Sequence, residues 1–161
     1  MPDVFALLSE DHRKVEALFQ EFESSGDPQV ALEICGELTI HAVLEEELVY
    51  PVLAIKIARE TAEEARHEHQ EAKQLVSQIE AGVENGDDIS GLVQELKASV
   101  EHHVQEEETE IFPKMEAELP TLVETMGADV VQRKQELMSN MADAIGGSQR
   151  PSTVGQKPMS G

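Results

Sequence analysis

The sequence is short of aromatic residues, cysteines and positive charge, and each shortage argues against a class of protein. Aromatic residues make up 3% of the 161 residues and none is tryptophan, so stacking surfaces for bases or sugars are scarce. The single cysteine, Cys35, excludes an intramolecular disulfide and predicts a reducing compartment. The chain has 33 Asp and Glu residues and 12 Lys and Arg residues, which gives a formal net charge of −21. A surface this acidic repels nucleic-acid backbones and anionic membranes, so we expect neither as a partner.

Long hydrophobic runs are also missing. No stretch approaches the roughly 18 apolar residues that a membrane-spanning helix requires, and the chain opens with no signal-peptide pattern. We therefore expect a cytoplasmic protein. Hydrophobic residues still make up 40% of the chain, which is enough for a folded core and argues against an acidic disordered chain.

The residues that are present follow the periodicity of amphipathic helices. Apolar residues recur every three or four positions over 3–23, as they do on one face of a helix. The same spacing recurs in three further segments. One starts at Asp27-Pro28, the next covers about 60–82, and the last starts at about 89. No segment alternates as a β-strand does. Four amphipathic helices with short connections predict an all-α fold, an antiparallel four-helix bundle.

A fifth helix is expected after the bundle. Thr121 and Glu124 form a capping-box pattern that opens a helix to about residue 145, where Gly146-Gly147 stops it. Residues 146–161 are rich in Gly, Ser and Pro, which predicts a disordered tail. The predicted organisation is a bundle over 1–118, a C-terminal helix over 119–145 that packs on or extends from the bundle, and a tail over 146–161.

The chain contains an internal repeat. HAVLEEELVYPVL (41–53) aligns with HVQEEETEIFPKM (103–115), and a His, two Glu and a Pro coincide. In the preceding helices, Asp11-His12 aligns with Glu68-His69. Each half of the chain is therefore a helical hairpin with one His on its first helix and an HxxxE pattern on its second. Folded about a pseudo-twofold axis, the two hairpins would bring these residues together at the centre of the bundle.

Six titratable residues of the repeat lie on the apolar stripes of the predicted helices. A buried imidazole or carboxylate is costly unless it has a partner. Two imidazoles per ion and two bridging carboxylates would form a dinuclear site, with the ions roughly 3.5–4 Å apart. This donor set suits iron, with manganese and zinc as competitors. The alternative is a set of buried hydrogen-bonded pairs without metal. The six residues are His12, His41, Glu45, His69, His103 and Glu107.

The remaining histidines are expected at the surface. His67 points away from the apolar stripe of its helix, and His102 flanks its stripe, where a surface contact with Glu106 is expected. Glu16 is at most a hydrogen-bond acceptor for His12. A ferritin-like di-iron site is the nearest rival, but its ExxH pattern occurs only at Glu64 and His67, off the stripe.

Three further features are expected to be structural. Tyr50 is nine residues beyond His41, on the opposite side of an ideal helix, so packing is its expected role, although Pro51 could alter the helix locally. Cys35 is expected to be a small core residue. The acidic runs at 45–47 and 106–108 are expected to be mainly solvated faces.

At these motifs the sequence resembles the haemerythrin-like HHE cation-binding domain family, over about residues 3–117. The resemblance implies a four-helix bundle with two iron ions, bridged by carboxylates and an oxo or hydroxo group. The iron ligands that it implies, position by position, are His12, His41, Glu45, His69, His103 and Glu107.

One departure from the oxygen-carrying haemerythrins bears on function. Those proteins have HxxxH on the third helix, whereas here His69 is followed at +4 by Lys73. The more symmetric set argues against reversible oxygen carriage. It favours redox handling of H2O2 or a related small oxidant, as in a catalase- or peroxidase-like reaction, although no separate catalytic residue is evident. The alternative is a module that binds or senses O2, NO or iron without turnover, and no protein partner is indicated.

Overall fold

In a computed structural model, the chain is almost entirely helical. The structure describes the backbone of residues 3–156 and the side chains of residues 3–142. Within that range there is no strand, and the predicted all-α fold is confirmed. The helices are α1 (Val4–Ser25), α2 (Pro28–Leu44), α3 (Tyr50–Lys56), α4 (Arg59–Asn85), α5 (Ser90–Glu106), α6 (Phe112–Glu118) and α7 (Pro120–Gln156).

Local sequence signals set the ends of the bundle helices. The Asp3 carboxylate accepts a hydrogen bond from the Phe5 amide at 2.9 Å, which caps the start of α1. Asp27 caps α2 in the same way, and Pro28 takes the first helical position, where a missing N–H does no harm. α4 ends at Gly86, whose φ of +75° is a conformation that favours glycine.

Two π-helical turns distinguish the structure from the continuous helices expected from the sequence. The first (Glu45–Val49) joins α2 to α3, and the second (Glu107–Ile111) joins α5 to α6. Each turn precedes a proline, at 51 and 113, whose ring lacks an N–H and crowds the carbonyl four residues earlier. The Tyr50 amide donates to the carbonyl of Glu45, five residues back. The extra residue in the turn rotates Tyr50 relative to an ideal helix.

The buried polar residues form a layer between two apolar clusters. One cluster includes Phe5, Leu8 and Phe112, and the other includes Val15 and Ile34. α1 packs against α2 and α4 against α5, as expected for two hairpins. α1, α2 and α4 each run from one cluster to the other, and α5 does so together with the π turn and α6 that follow it; the polar residues lie between the clusters. The fold therefore concentrates these residues in the middle of the bundle.

The predicted C-terminal helix is present as α7. It lies against α1, α2 and α6, with Val123, Met126 and Val130 buried toward the bundle. α7 continues to Gln156, past the predicted end near residue 145, so Gly146-Gly147 does not end the helix. The rest of the predicted tail, 157–161, lies outside the described residues. That the chain divides at residue 118 stays a prediction. Among the described helices, none has the length and apolar character needed to cross a membrane.

Candidate metal centre

All six residues of the predicted site lie together in the polar layer. They form two overlapping groups that share Glu45 and Glu107, and the donor atoms within each group lie within 4.8 Å of one another. We call His12 and His41 the first histidine pair, and His69 and His103 the second histidine pair. All six residues are at most 9% exposed.

The imidazoles of each pair point Nε2 at one another. His12 Nε2 lies 3.1 Å from His41 Nε2, and His69 Nε2 lies 3.1 Å from His103 Nε2. Two lone pairs repel each other at this distance unless a proton or a cation lies between them. Two nitrogens that bind one ion at about 2.1 Å and at a right angle are about 3.0 Å apart. The spacing of each pair therefore fits a shared metal ion.

The two buried glutamates connect the pairs. Glu45 places Oε2 3.2 Å from His41 Nε2 and Oε1 3.1 Å from His69 Nε2. Glu107 places Oε1 3.2 Å from His12 Nε2 and Oε2 3.3 Å from His103 Nε2. Each carboxylate thus presents one oxygen to each pair.

One oxygen of each glutamate accepts no hydrogen bond from any described residue. These atoms are Glu45 Oε2 and Glu107 Oε1, and both side chains are 0% exposed. Leaving a buried charged oxygen without a partner is expensive. Both atoms face the first histidine pair, so a cation bound there would satisfy them. The matching group of two imidazoles and two carboxylate oxygens around the second pair makes the whole donor set fit two ions.

Four carboxylates, which we call the outer carboxylates, lie behind the imidazoles. A carboxylate at Nδ1 holds the proton on that nitrogen and leaves Nε2 free to bind a metal. The Nδ1-to-oxygen distances are 2.6 Å for His12 to Glu108, 3.2 Å for His41 to Asp11, 2.9 Å for His69 to Glu46 and 2.7 Å for His103 to Glu68.

Sequence reasoning missed the outer carboxylates. The interpretation of the acidic runs as solvated faces was wrong for Glu46 and Glu108, because their side chains turn inward and are only 28% exposed. The repeat carried the signal, since Glu46 aligns with Glu108 and Asp11 aligns with Glu68. Glu16 is not an acceptor for His12; it pairs with Arg13 at the surface.

The hydroxyl of Tyr50 also lies inside the site, so the expectation of packing alone was wrong. Its oxygen is 2.8 Å from Glu107 Oε2 and 3.1 Å from Glu45 Oε1. It is also 3.0 Å and 2.9 Å from Nε2 of the second histidine pair. The aligned residue, Phe112, stacks on the His12 ring and has no hydroxyl. The second histidine pair therefore has a hydroxyl within hydrogen-bonding distance, whereas the first pair has the ring of Phe112 in the aligned position.

Buried charge shifts the proton affinities of the site. Burial by itself lowers the pKa of His41, but Glu45 and Asp11 outweigh it and raise this pKa to about 10. Burial is likewise outweighed at His103, where Glu107 raises the pKa to about 12. Burial, reinforced by Glu45 and Glu107, raises the pKa of Tyr50 well above its usual value, so its hydroxyl stays a donor. Without metal, protons balance the carboxylates; a metal ion would displace them.

A cavity of about 300 Å³ lies on the histidine side of the cluster. Its lining combines edges of the imidazoles with apolar side chains such as Val15, Val76 and Val100. Glu45, Glu107 and Tyr50 are not part of the lining. The volume corresponds to about ten water molecules. A small molecule therefore has room beside both histidine pairs.

The two remaining histidines and the cysteine lie where the sequence predicts. His67 is 75% exposed and lies 3.1 Å from Glu71. His102 is 65% exposed and contacts Glu106 at 3.0 Å. Cys35 is a free, buried thiol in the apolar core.

Comparison with known proteins agrees with this geometry. The family model described as "Hemerythrin HHE cation binding domain" matches residues 3–115. A protein of Nostoc sp. named "DNA nickase" is 36% identical over 106 residues, which cover 63% of this chain and 30% of that protein. An uncharacterized hemerythrin-like protein of Schizosaccharomyces pombe is 32% identical over 116 residues, 68% of this chain and 57% of that protein. The chain thus spans less than two thirds of either relative. No solved structure matches.

Proposed function

The chain belongs to the haemerythrin HHE cation-binding domain family, and from this premise we propose that it is a di-iron protein that handles H2O2 or a related small oxidant. One observation carries the proposal. Glu45 and Glu107 each offer one oxygen to each histidine pair, and one oxygen of each has no hydrogen-bond partner among the described residues. Each histidine pair thus faces two carboxylate oxygens, which makes a donor set for one ion per pair, and the oxygens without a partner both face the first pair.

Each residue of the cluster has a distinct role in this proposal. The first and second histidine pairs would each hold one ion, and Glu45 and Glu107 would each offer one carboxylate oxygen to each ion. The outer carboxylates keep Nδ1 of each imidazole protonated and fix the ring orientation. Imidazole with carboxylate suits iron, with manganese and zinc as competitors. When bound, a pair of irons would supply redox-active cations able to exchange electrons with a peroxide.

Two features favour a small oxidant over reversible oxygen carriage. The histidines are divided equally between the pairs, and Lys73, at +4 from His69, contacts the outer carboxylate of Glu46 at 3.1 Å. The cavity opens on the histidine side, where a small molecule has room, and Tyr50 holds a proton on the carboxylate side. The cavity thus lies beside the imidazoles, while the Tyr50 hydroxyl and the two glutamates lie outside its lining.

The alternative function is binding or sensing of O2, NO or iron without turnover. The observation that favours it is α7, which lies outside the family match and contacts the bundle next to the centre. A cytoplasmic location is proposed from the free, buried Cys35. We propose no nucleic-acid partner, because a net charge of −21 opposes phosphate backbones; the name of the Nostoc relative describes a protein of which this chain covers 30%.

The test combines iron content with peroxide turnover. We expect the purified protein to hold about two irons per chain and to release O2 from added H2O2. Glu107→Ala and His103→Ala should lose iron and turnover. His67→Ala replaces an exposed histidine on α4, outside the cluster, and should keep both. Equal iron content in all three variants would contradict the ligand assignment. Two irons without turnover would favour the sensing alternative, and a protein that takes up no iron would overturn the proposal.

A further inference from the structure

α7 reaches the centre through one lysine. Lys134 Nζ lies 2.5 Å from Asp11 Oδ1, and the other oxygen of Asp11 lies 3.2 Å from His41 Nδ1. Lys134 lies outside the residues that the family model matches. We propose that Lys134 is a positioning residue: it holds Asp11 against His41 and so couples the packing of α7 to metal binding at the first histidine pair. The inference rests on the metal centre proposed above.

Asp11 is the outer carboxylate that depends most on an added cation. Its side chain is 9% exposed, whereas those of the other three outer carboxylates are 17% to 28% exposed. Its contact with an imidazole, at 3.2 Å, is also the longest of the four. A buried carboxylate with a weak hydrogen bond needs a second partner to stay charged and in place. Lys134 supplies that partner.

The partners of the other outer carboxylates belong to the bundle itself and are more exposed than Lys134. Arg13 pairs with Glu108, Lys73 with Glu46 and His102 with Glu68, and these three side chains are 49% to 65% exposed. Lys134 is 32% exposed. Exposed ion pairs contribute little, because water screens them. The link from α7 is therefore the one in which a cation has most effect on a histidine of the cluster.

α7 also offers a matched control. Arg133 makes a two-pronged contact with Glu47, at 2.7 Å and 3.0 Å, and Glu47 is 45% exposed. Each of the two cations makes one ion pair from α7 to the bundle, and Arg133 also pairs with Glu136 within α7, but only Lys134 contacts an outer carboxylate. The apolar contacts of Val123, Met126 and Val130 remain in both variants and keep the helix packed.

The first experiment measures Co²⁺ binding to the metal-free full chain, by visible absorption in competition with a chelator. Wild type should bind two ions. Lys134→Met should weaken one of the two by about tenfold, the lower end of the effect of such supporting residues. Lys134→Arg should restore binding, and Arg133→Gln should stay within about twofold of wild type. Equal effects of Lys134→Met and Arg133→Gln would reduce Lys134 to a helix anchor and overturn the proposal.

A double-mutant cycle tests whether Lys134 acts through Asp11. Asp11→Asn should weaken the same ion by about 10–100-fold, and adding Lys134→Met should then change nothing further. Additive effects would mean that the two residues act separately, which contradicts the proposal. A wild type that binds no Co²⁺ would overturn the metal centre and this inference together. Two ions in wild type and an unchanged Lys134→Met variant would overturn this inference alone.

Discussion

Replacement of Tyr50 by phenylalanine should destabilise the metal-free protein. Its hydroxyl lies 2.8 Å from Glu107 Oε2 and 3.1 Å from Glu45 Oε1, both fully buried. A hydrogen bond to a charged group contributes about 1.5–3 kcal/mol. The aromatic ring itself should still fit, because Phe112 occupies the aligned position in the other hairpin. We expect Tyr50→Phe to lower the free energy of unfolding of the metal-free protein by about 2 kcal/mol, or Tm by about 4–8 °C.

Bound metal should shrink this effect. Cations and the Tyr50 hydroxyl draw on the same carboxylate oxygens, so the hydroxyl contributes less once cations are present. We expect the loss to fall below about 1 kcal/mol at saturating Co²⁺. The assay is denaturant unfolding followed by circular dichroism, in chelator and in Co²⁺. Thr39→Val deletes a hydroxyl that donates to the Cys35 carbonyl at 2.7 Å, and its effect should be the same in both states. A Tyr50→Phe loss that is absent in chelator, or equal in both states, would refute the reasoning.

Three further predictions follow from the same structure. Pro51→Ala should keep the π turn. A regular helix would move Val49, Tyr50 and Leu53 out of the core at a cost of several kcal/mol, whereas the hydrogen bond of the restored N–H gains about 1 kcal/mol. An unchanged Co²⁺ stoichiometry checks this. Cys35 should resist thiol reagents in the native protein and react after unfolding, because burial raises its pKa to about 12; rapid native labelling would contradict it. Tyr50 is the single tyrosine and the chain has no tryptophan, so tyrosine emission should change as Co²⁺ is added and stay constant in Glu107→Ala.

The sequence was sufficient to predict the bundle and the meeting of six buried titratable residues within it; that these residues bind metal stays a prediction. Helical spacing placed His12, His41 and Glu45 on apolar stripes, where an unpaired polar group is too expensive to be accidental. The repeat then required the second half to carry the same set. Because antiparallel hairpins bury their stripes against each other, residues on the stripes must meet, and the structure brings all six together.

Helical spacing did not predict that the outer carboxylates and the Tyr50 hydroxyl lie at the cluster. Asp11 and Glu46 are off the stripe, and whether such a side chain faces water or reaches a neighbouring helix depends on how the helices pack. Tyr50 was misplaced because an ideal helix puts it opposite His41, while the π turn adds one residue before it. A proline shows that a helix will be disturbed, but it does not say in which direction the next side chain will turn.

Local signals thus determined the helices of this protein, and long-range packing determined which side chains of different helices contact one another. Caps, glycines and helical periodicity act within a few residues, so helix ends and buried faces follow from the sequence. The contact of Lys134 with Asp11 joins residues far apart in the chain, on helices whose relative positions no local rule fixes. Which titratable residues lie on the buried stripes was therefore determined by the sequence itself. The orientation of each imidazole, the hydroxyl within the second set and the link to α7 were decided only when tertiary packing brought separate helices into contact.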